Sequence, residues 1–239
     1  MIEAVIVEKI PRNRFMNFDQ TSCPLVSSGG KTIDFMGAKE VIVVDPPGDK
    51  ECFTISLAVK ADGEKLPAII VFKGNCKNGE LSERTLKGLV IPANIRVKSS
   101  GKAWWNEKLN LDWISETFSS DDNKMILLRD NFSVHKMSST QQALRDRNVE
   151  QVLVPTGRTG KYQPLDVGVM RPFKAAMNNE YHQWRVANDV LSDSGELKKP
   201  TRQDFINFAS KAWDSVTPDC VRNSFRHSLQ DIGVLNDEN

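Results

Sequence analysis

The sequence predicts an α/β fold, a mixed sheet flanked by helices with additional helices at its C-terminal end. Three observations carry that prediction. Before residue 75 the apolar runs have strand character and follow one another directly. From Trp104 to residue 155, helical and strand periods alternate. Beyond 155 only helical periodicity remains. Consecutive strands favour antiparallel pairing, whereas strand–helix–strand alternation favours parallel strands joined by helical crossovers.

In order, RFMNFD (14–19) reads as a short strand ending in Asp19, followed by a Ser/Gly loop at 27–30. KEVIVV (39–44) reads as a second strand, stopped by Pro46-Pro47. CFTISLAVKADG (52–63) is a strong strand with a turn at Asp62-Gly63, and LPAIIVFKG (66–74) is its hairpin partner. A Gly/Lys/Asn-rich connection carries Arg84, Lys87, Arg96, Lys98 and Lys102. Trp104, Leu111, Ile114 and Phe118 then fall on one helical face. The Met-Ile-Leu-Leu run of 125–130 suits a strand covered on both sides. A polar helix over 136–147, a strand over 150–155 and the loop TGRTGKYQPLD follow. Met170, Phe173, Met177, Tyr181 and Trp184 mark a long helix, with Pro172 tolerated only in its first turn. Residues 201–214 and 218–229 read as two more helices, and Asp231 with the tail NDEN as frayed.

At 239 residues the chain is long enough to bury a sizeable core, and 39% hydrophobic with 26% charged residues is ordinary for a globular protein. A net charge of +1 means that any basic surface is local. The four cysteines (Cys23, Cys52, Cys76, Cys220) are scattered without a CxxC pair. That argues against a zinc site or a disulfide framework and for reduced thiols in the cytosol or nucleus. MIEAVIVEKI carries acids and lacks the apolar core of a signal peptide, no run approaches a bilayer span, and no repeat is evident.

The chemistry concentrates in three acids. Asp130 ends the apolar run ILLRD, Asp19 ends the first strand, and Asp166 lies in QPLDVG at the mouth of the long helix. Each has a plain structural alternative, since Asp favours helix caps and strand ends. If the first strand is central and beside strand 125–130, however, two acids become neighbours at the carboxyl ends of strands, where ligands of such sheets bind. Three clustered anions repel one another, and a hard divalent cation such as Mg²⁺ relieves that cost. Two such ions roughly 4 Å apart suit phosphodiester chemistry.

Four blocks then resemble the DDE superfamily of transposases, in the pogo/Tigger/jerky branch related to mariner. NFDQTSCPLV (17–26) resembles the first-acid block and LLRDNFSVH (127–135) the second. VPTGRTGKYQPLDVGVMRPFK (154–174) resembles the third and AWDSVTPDCVRNSFRHSLQDIG (212–233) the closing helices. KAWWNEKLNLDWI (102–114) adds the family's lysine-tryptophan pattern. The resemblance implies an RNase H-like core over 1–190 with a helical extension over 191–239 packed on it. It implies Asp19, Asp130 and Asp166 as catalytic and metal-binding acids, with two Mg²⁺ (or Mn²⁺) ions. It also implies DNA strand cleavage, with strand transfer in an active element. DNA is then the expected partner and the nucleus the expected site of action, in a homo-oligomer without membrane attachment. A non-catalytic nucleic-acid-binding or protein-interaction module descended from a transposase is the alternative. A general ribonuclease is disfavoured by QPLDVG and the closing helices.

Around the acids, Asn131 is expected to orient the metal shell or to cap a helix. His135 is expected to pack at a helix start or to contact phosphate, and Gln163 to hold the loop beside Asp166. Residues 84–108 carry six basic side chains against Glu107, and 158–174 carry four against Asp166. Lys102, Arg158, Lys161, Arg171 and Lys174 are the candidate DNA contacts, with a solvated surface as the plainer reading. The tryptophans, Trp104 and Trp105 included, read as core, with base stacking by Trp105 the sharper alternative. Arg129 departs from the family pattern, which has an apolar residue there. Buried, it needs a partner or must snorkel, and it is placed to lower nearby carboxylate pKa values or to compete with a metal. Only 18 residues precede Asp19, where the family carries helix-turn-helix modules, so an isolated catalytic core is expected.

Overall fold

The structure is a computed structural model that describes residues 10–24, 52–75, 77–119, 123–188 and 197–229. The expected loop at 27–30, the strand at 39–44, the stop at Pro46-Pro47 and the tail lie outside the described residues. The strands are β1 (Phe15–Pro24), β2 (Cys52–Lys60), β3 (Ala68–Lys73), β4 (Ile95–Ser100), β5 (Met125–Asp130) and β6 (Val149–Val154). The helices are α1 (Glu83–Lys87), α2 (Glu107–Thr117), α3 (Ser138–Arg145), α4 (Thr159–Tyr162), α5 (Met170–Ala187), α6 (Arg202–Ser215) and α7 (Pro218–Leu229). A 3₁₀ turn (Ser133–Lys136) precedes α3, and a π-helical turn (Leu165–Val169) leads into α5.

The sheet order is β4-β3-β2-β1-β5-β6. β2 runs antiparallel to β1 and β3, whereas β1–β5, β5–β6 and β3–β4 are parallel. The mixed sheet and the β2–β3 hairpin are as expected, and β1 lies centrally beside β5. Side chains alternate between two apolar layers. Ile126 and Leu128 of β5 face α5, α6 and α7, where Phe173, Phe205, Trp213 and Phe225 are buried. Met16, Phe18 and Leu127 face α2 and α3, against Trp105, Trp113, Ile114 and Leu144. Phe18 stacks on Trp113 at 4.1 Å between ring centroids, and this rules out base stacking by the buried Trp105 beside it.

Register matters more than strand order. Phe15 pairs with Ile126 and Asn17 with Leu128, so Asp19 and Asp130 stand at the same level on adjacent strands. On the other side Asp19 pairs with Leu57, level with the start of β3. β5 and β6 therefore end where β3 and β4 begin, and β1, ten residues long, overhangs β5. The overhang leaves a notch beside the second half of β1.

Two local expectations fail. Trp104 does not join the helix: Ala103 has a left-handed backbone (φ 57°), Asn106 caps α2 by accepting the Leu109 N–H, and Trp104 is 63% exposed. The polar helix after β5 starts only at Ser138, because the chain first makes the 3₁₀ turn that seats His135.

Candidate functional site

The notch is where the three acids meet. In β1, Asn17 and Asp19 point to the same face as Phe15, the face that carries the π-turn and α7. Asp130, two residues after Leu128, points to that face from β5. Asn17 locks the arrangement: its Nδ2 donates to Leu128 O at 2.9 Å, and its Oδ1 accepts the Leu165 N–H at 2.8 Å. The residue after Leu165 is Asp166. One fully buried amide thus fixes the third-acid turn to the two strands that carry the first and second acids.

Exposure grades outward, with Asp19 8% exposed, the Asp130 side chain 32% and Asp166 exposed. Burial drives the Asp19 pKa well above the usual carboxylate range, and the charges of Asp166 and Asp130 push it the same way. The Gln20 N–H, which donates to Asp19 Oδ1 at 2.8 Å, and the facing Gln163 amide oppose that rise. Among the described residues no cation pairs with Asp19, and no three His, Cys, Asp or Glu side chains stand closed around a metal position.

The surrounding residues are placed as follows. Gln163 is fully buried beside Asp19, and neither of its amide atoms has a partner in hydrogen-bond geometry. His135 is fully buried; its Nδ1 lies 2.9 Å from Asp130 Oδ1 and 3.2 Å from Asp130 O, and its Nε2 lies 3.5 Å from Gln20 Nε2. Burial holds its pKa below the ordinary imidazole value, against the hydrogen bond to Asp130. Exposed Asn131 caps no helix and instead donates to Thr156 Oγ1 at 3.4 Å. Arg158, Lys161, Arg171 and Lys174 are exposed on the segments flanking the third acid. Lys102, also exposed, follows β4, three strands from β1 and therefore roughly 14 Å across the sheet. It does not join the acid cluster.

Arg129 alternates to the opposite face from Asp130 and is fully buried there. It donates to Asn110 Oδ1 at 2.9 Å and to Gln151 Oε1. It neither snorkels nor reaches toward a metal position between the acids. The sequence reading also missed Asn17 and Gln20. The signal was present as two amides interleaved with aromatic residues and Asp19 in a strand, where Asn and Asp are depleted.

Carboxylate oxygens around a buried acid are the donor type that hard divalent cations take; of the three acids, Asp130 already has His135 Nδ1 2.9 Å from its Oδ1. A family model described as "DDE superfamily endonuclease" matches residues 50–225, a stretch that includes Asp130 and Asp166 and begins after Asp19. "Pogo transposable element with KRAB domain" proteins of Mus musculus and Homo sapiens are each 27% identical over 216 residues. That match takes in 88% of this chain and 34% of each relative, so the chain spans about a third of their length. Among solved structures, the Mos1 strand transfer complex aligns with a TM-score of 0.55 at 10% identity, covering 92% of this chain and 53% of that one. The Mos1 mariner paired end complex with Mn aligns at 0.52 and 12%, covering 97% and 58%. The likeness shows a shared fold, the RNase H-like sheet with its flanking helices.

Proposed function

Because the chain belongs to the DDE superfamily of endonucleases, we propose that it is the metal-dependent DNA-cleaving core of a transposase of the pogo and mariner branch. Asp19 and Asp130 would be paired ligands for Mg²⁺ or Mn²⁺, two ions in all, with Asp166 completing the set. When bound, such ions would supply charge neutralisation at the phosphodiester and would activate a water for cleavage, or the 3′-hydroxyl of a DNA strand for transfer. The protein's own part is positioning. Asn17 holds the three acids in register, and buried Asp19 anchors the inner side. Exposed Asp166 leaves the outer side open to a DNA backbone. Asn131, His135 and Gln163 support the acids from behind. Arg158, Lys161, Arg171 and Lys174 track phosphates beside the notch, with Lys102 on a more distant part of the path. Residues 1–190 form the catalytic core and 191–239 the extension, acting on DNA in the nucleus as a homo-oligomer.

One observation carries the reading: a buried carboxylate faces two others without a cation among the described residues. The Mn-bound Mos1 neighbour is consistent with it. Isothermal titration with Mn²⁺ tests it. Asp130→Asn should weaken binding at least about tenfold, and equal binding by both proteins would remove the metal site. Plasmid nicking should be slow and poorly sequence-specific. A sharply specific footprint from this chain would contradict that.

A second reading, a non-catalytic interaction module derived from a transposase, is favoured by the absence among the described residues of acids already closed around a metal position. In that case nicking is absent at every Mn²⁺ concentration while DNA binding persists.

A further inference from the structure

A fully buried arginine without a carboxylate partner is costly, and β5 places one directly before the second acid. Among the described residues every side-chain partner of Arg129 is a neutral amide, and its Nε has none. Nη1 donates to Asn110 Oδ1 at 2.9 Å; Asn110 Nδ2 donates to Thr140 Oγ1 at 2.8 Å; Thr140 Oγ1 donates to Val134 O at 2.8 Å. Nη2 donates to Gln151 Oε1, and Gln151 Nε2 donates to His135 O at 2.9 Å. Two arms leave one guanidinium and end on two consecutive carbonyls, those of Val134 and His135. These belong to the 3₁₀ turn that seats the His135 ring against Asp130.

We infer that Arg129 is a positioning residue: its guanidinium fork, acting through Asn110–Thr140 and Gln151, clamps the 133–136 turn so that His135 is held on the Asp130 backbone carbonyl with its Nδ1 2.9 Å from the Asp130 carboxylate, in one tautomer and one orientation. The planar fork is what the geometry uses, because two donors at a fixed spacing reach two amides on different elements, α2 and β6. A lysine ammonium is a point charge on a flexible stem and does not span both. The same clamp fixes the imidazole. With Nδ1–H donating to the Asp130 backbone carbonyl at 3.2 Å, Nε2 is left as the acceptor turned toward the Gln20 amide, and Gln20 is the neighbour of Asp19. The departure from an apolar residue at position 129 thus has a use in this chain, and it lies on the face of the sheet away from the metal position.

The proposal leans on the metal reading for only one of its two tests. The first is ¹⁵N-histidine NMR of the metal-free protein, which has three histidines, with His182 and His227 as internal references. Wild-type His135 should show a single Nδ1–H tautomer. Arg129→Lys and Gln151→Leu should each release it into a tautomer mixture and leave His182 and His227 unmoved. The second is Mn²⁺ titration, in which both variants should weaken binding by about tenfold, as loss of an outer-shell partner does. A fixed His135 tautomer in a folded Gln151→Leu or Arg129→Lys protein would overturn the proposal, whatever happens to the melting temperature. If Arg129→Lys does not fold, Gln151→Leu, which leaves the arginine in place and cuts one arm, decides alone. Absence of Mn²⁺ binding by the wild type would sink the metal reading and leave the tautomer test standing.

Discussion

Replacing Asn17 by Ala should damage the fold and the site together. Asn17 is fully buried and makes two hydrogen bonds to backbone groups that have no solvent to turn to, Leu128 O and Leu165 N–H. Leaving a buried donor or acceptor unsatisfied costs about 1–3 kcal/mol each. Partial relaxation brings the sum to about 2–4 kcal/mol, and a chain of this size loses about 2–4 °C per kcal/mol. The expected fall in melting temperature is thus roughly 5–15 °C, read by circular dichroism without metal. Because the Leu165 bond is what ties the Asp166 turn to β1, Mn²⁺ affinity should fall in Asn17→Ala even at temperatures where it is fully folded. A variant that melts within about 1 °C of wild type and binds Mn²⁺ equally would refute the idea that this amide holds the acids in register.

Asp19→Asn should stabilise the metal-free protein at neutral pH, because burial, then the charges of Asp166 and Asp130, disfavour the ionised form that the unfolded chain carries freely; denaturant midpoints in chelator measure this. The sign with pH follows from the raised pKa. The native state takes up the Asp19 proton at higher pH than the unfolded chain does, so metal-free stability rises as pH falls from above that raised value toward the ordinary carboxylate range. Subtracting the Asp19→Asn curve isolates this from His135. The depressed pKa of that imidazole works the other way, losing stability as pH falls through the ordinary imidazole value. Gly168→Ala should cost about 1–3 kcal/mol and shift the Asp166 turn, since its Cβ would meet the Ser224 Cβ at 2.7 Å; adding Ser224→Gly should recover most of the loss in the same melt. Lys65→Met should cost about 1–3 kcal/mol, because the ammonium satisfies the Trp213 and Val216 carbonyls at the end of α6.

Much of the site was legible because it depends on strand ends. The apolar run into Asp130, the apolar strand into Asp19 and QPLD before a periodic helix each announced an acid at an element boundary, and the central place of β1 made two of them neighbours. Less legible was anything set by register or by long-range side-chain pairing. The stagger that ends β5 where β3 begins leaves no mark in hydrophobic period. Arg129 finds its partners 19 and 22 residues away, on α2 and β6, and no local rule selects Asn110 or Gln151. Trp104 misled because periodicity counts an apolar residue without seeing that Ala103 bends the chain and Asn106 starts the helix. The π-turn at Leu165–Val169 was hidden for a similar reason: five residues with helical composition carry no signal for the widened turn that presents Asp166.

Crystals of the protein soaked in Mn²⁺, with anomalous scattering collected at the manganese edge, test the central claim most directly. The account predicts manganese within coordination distance, about 2.2 Å, of oxygens of both Asp19 and Asp130, with Asp166 completing the set. Strong manganese peaks elsewhere on the molecule, with the three carboxylates bare at saturating metal, would contradict it.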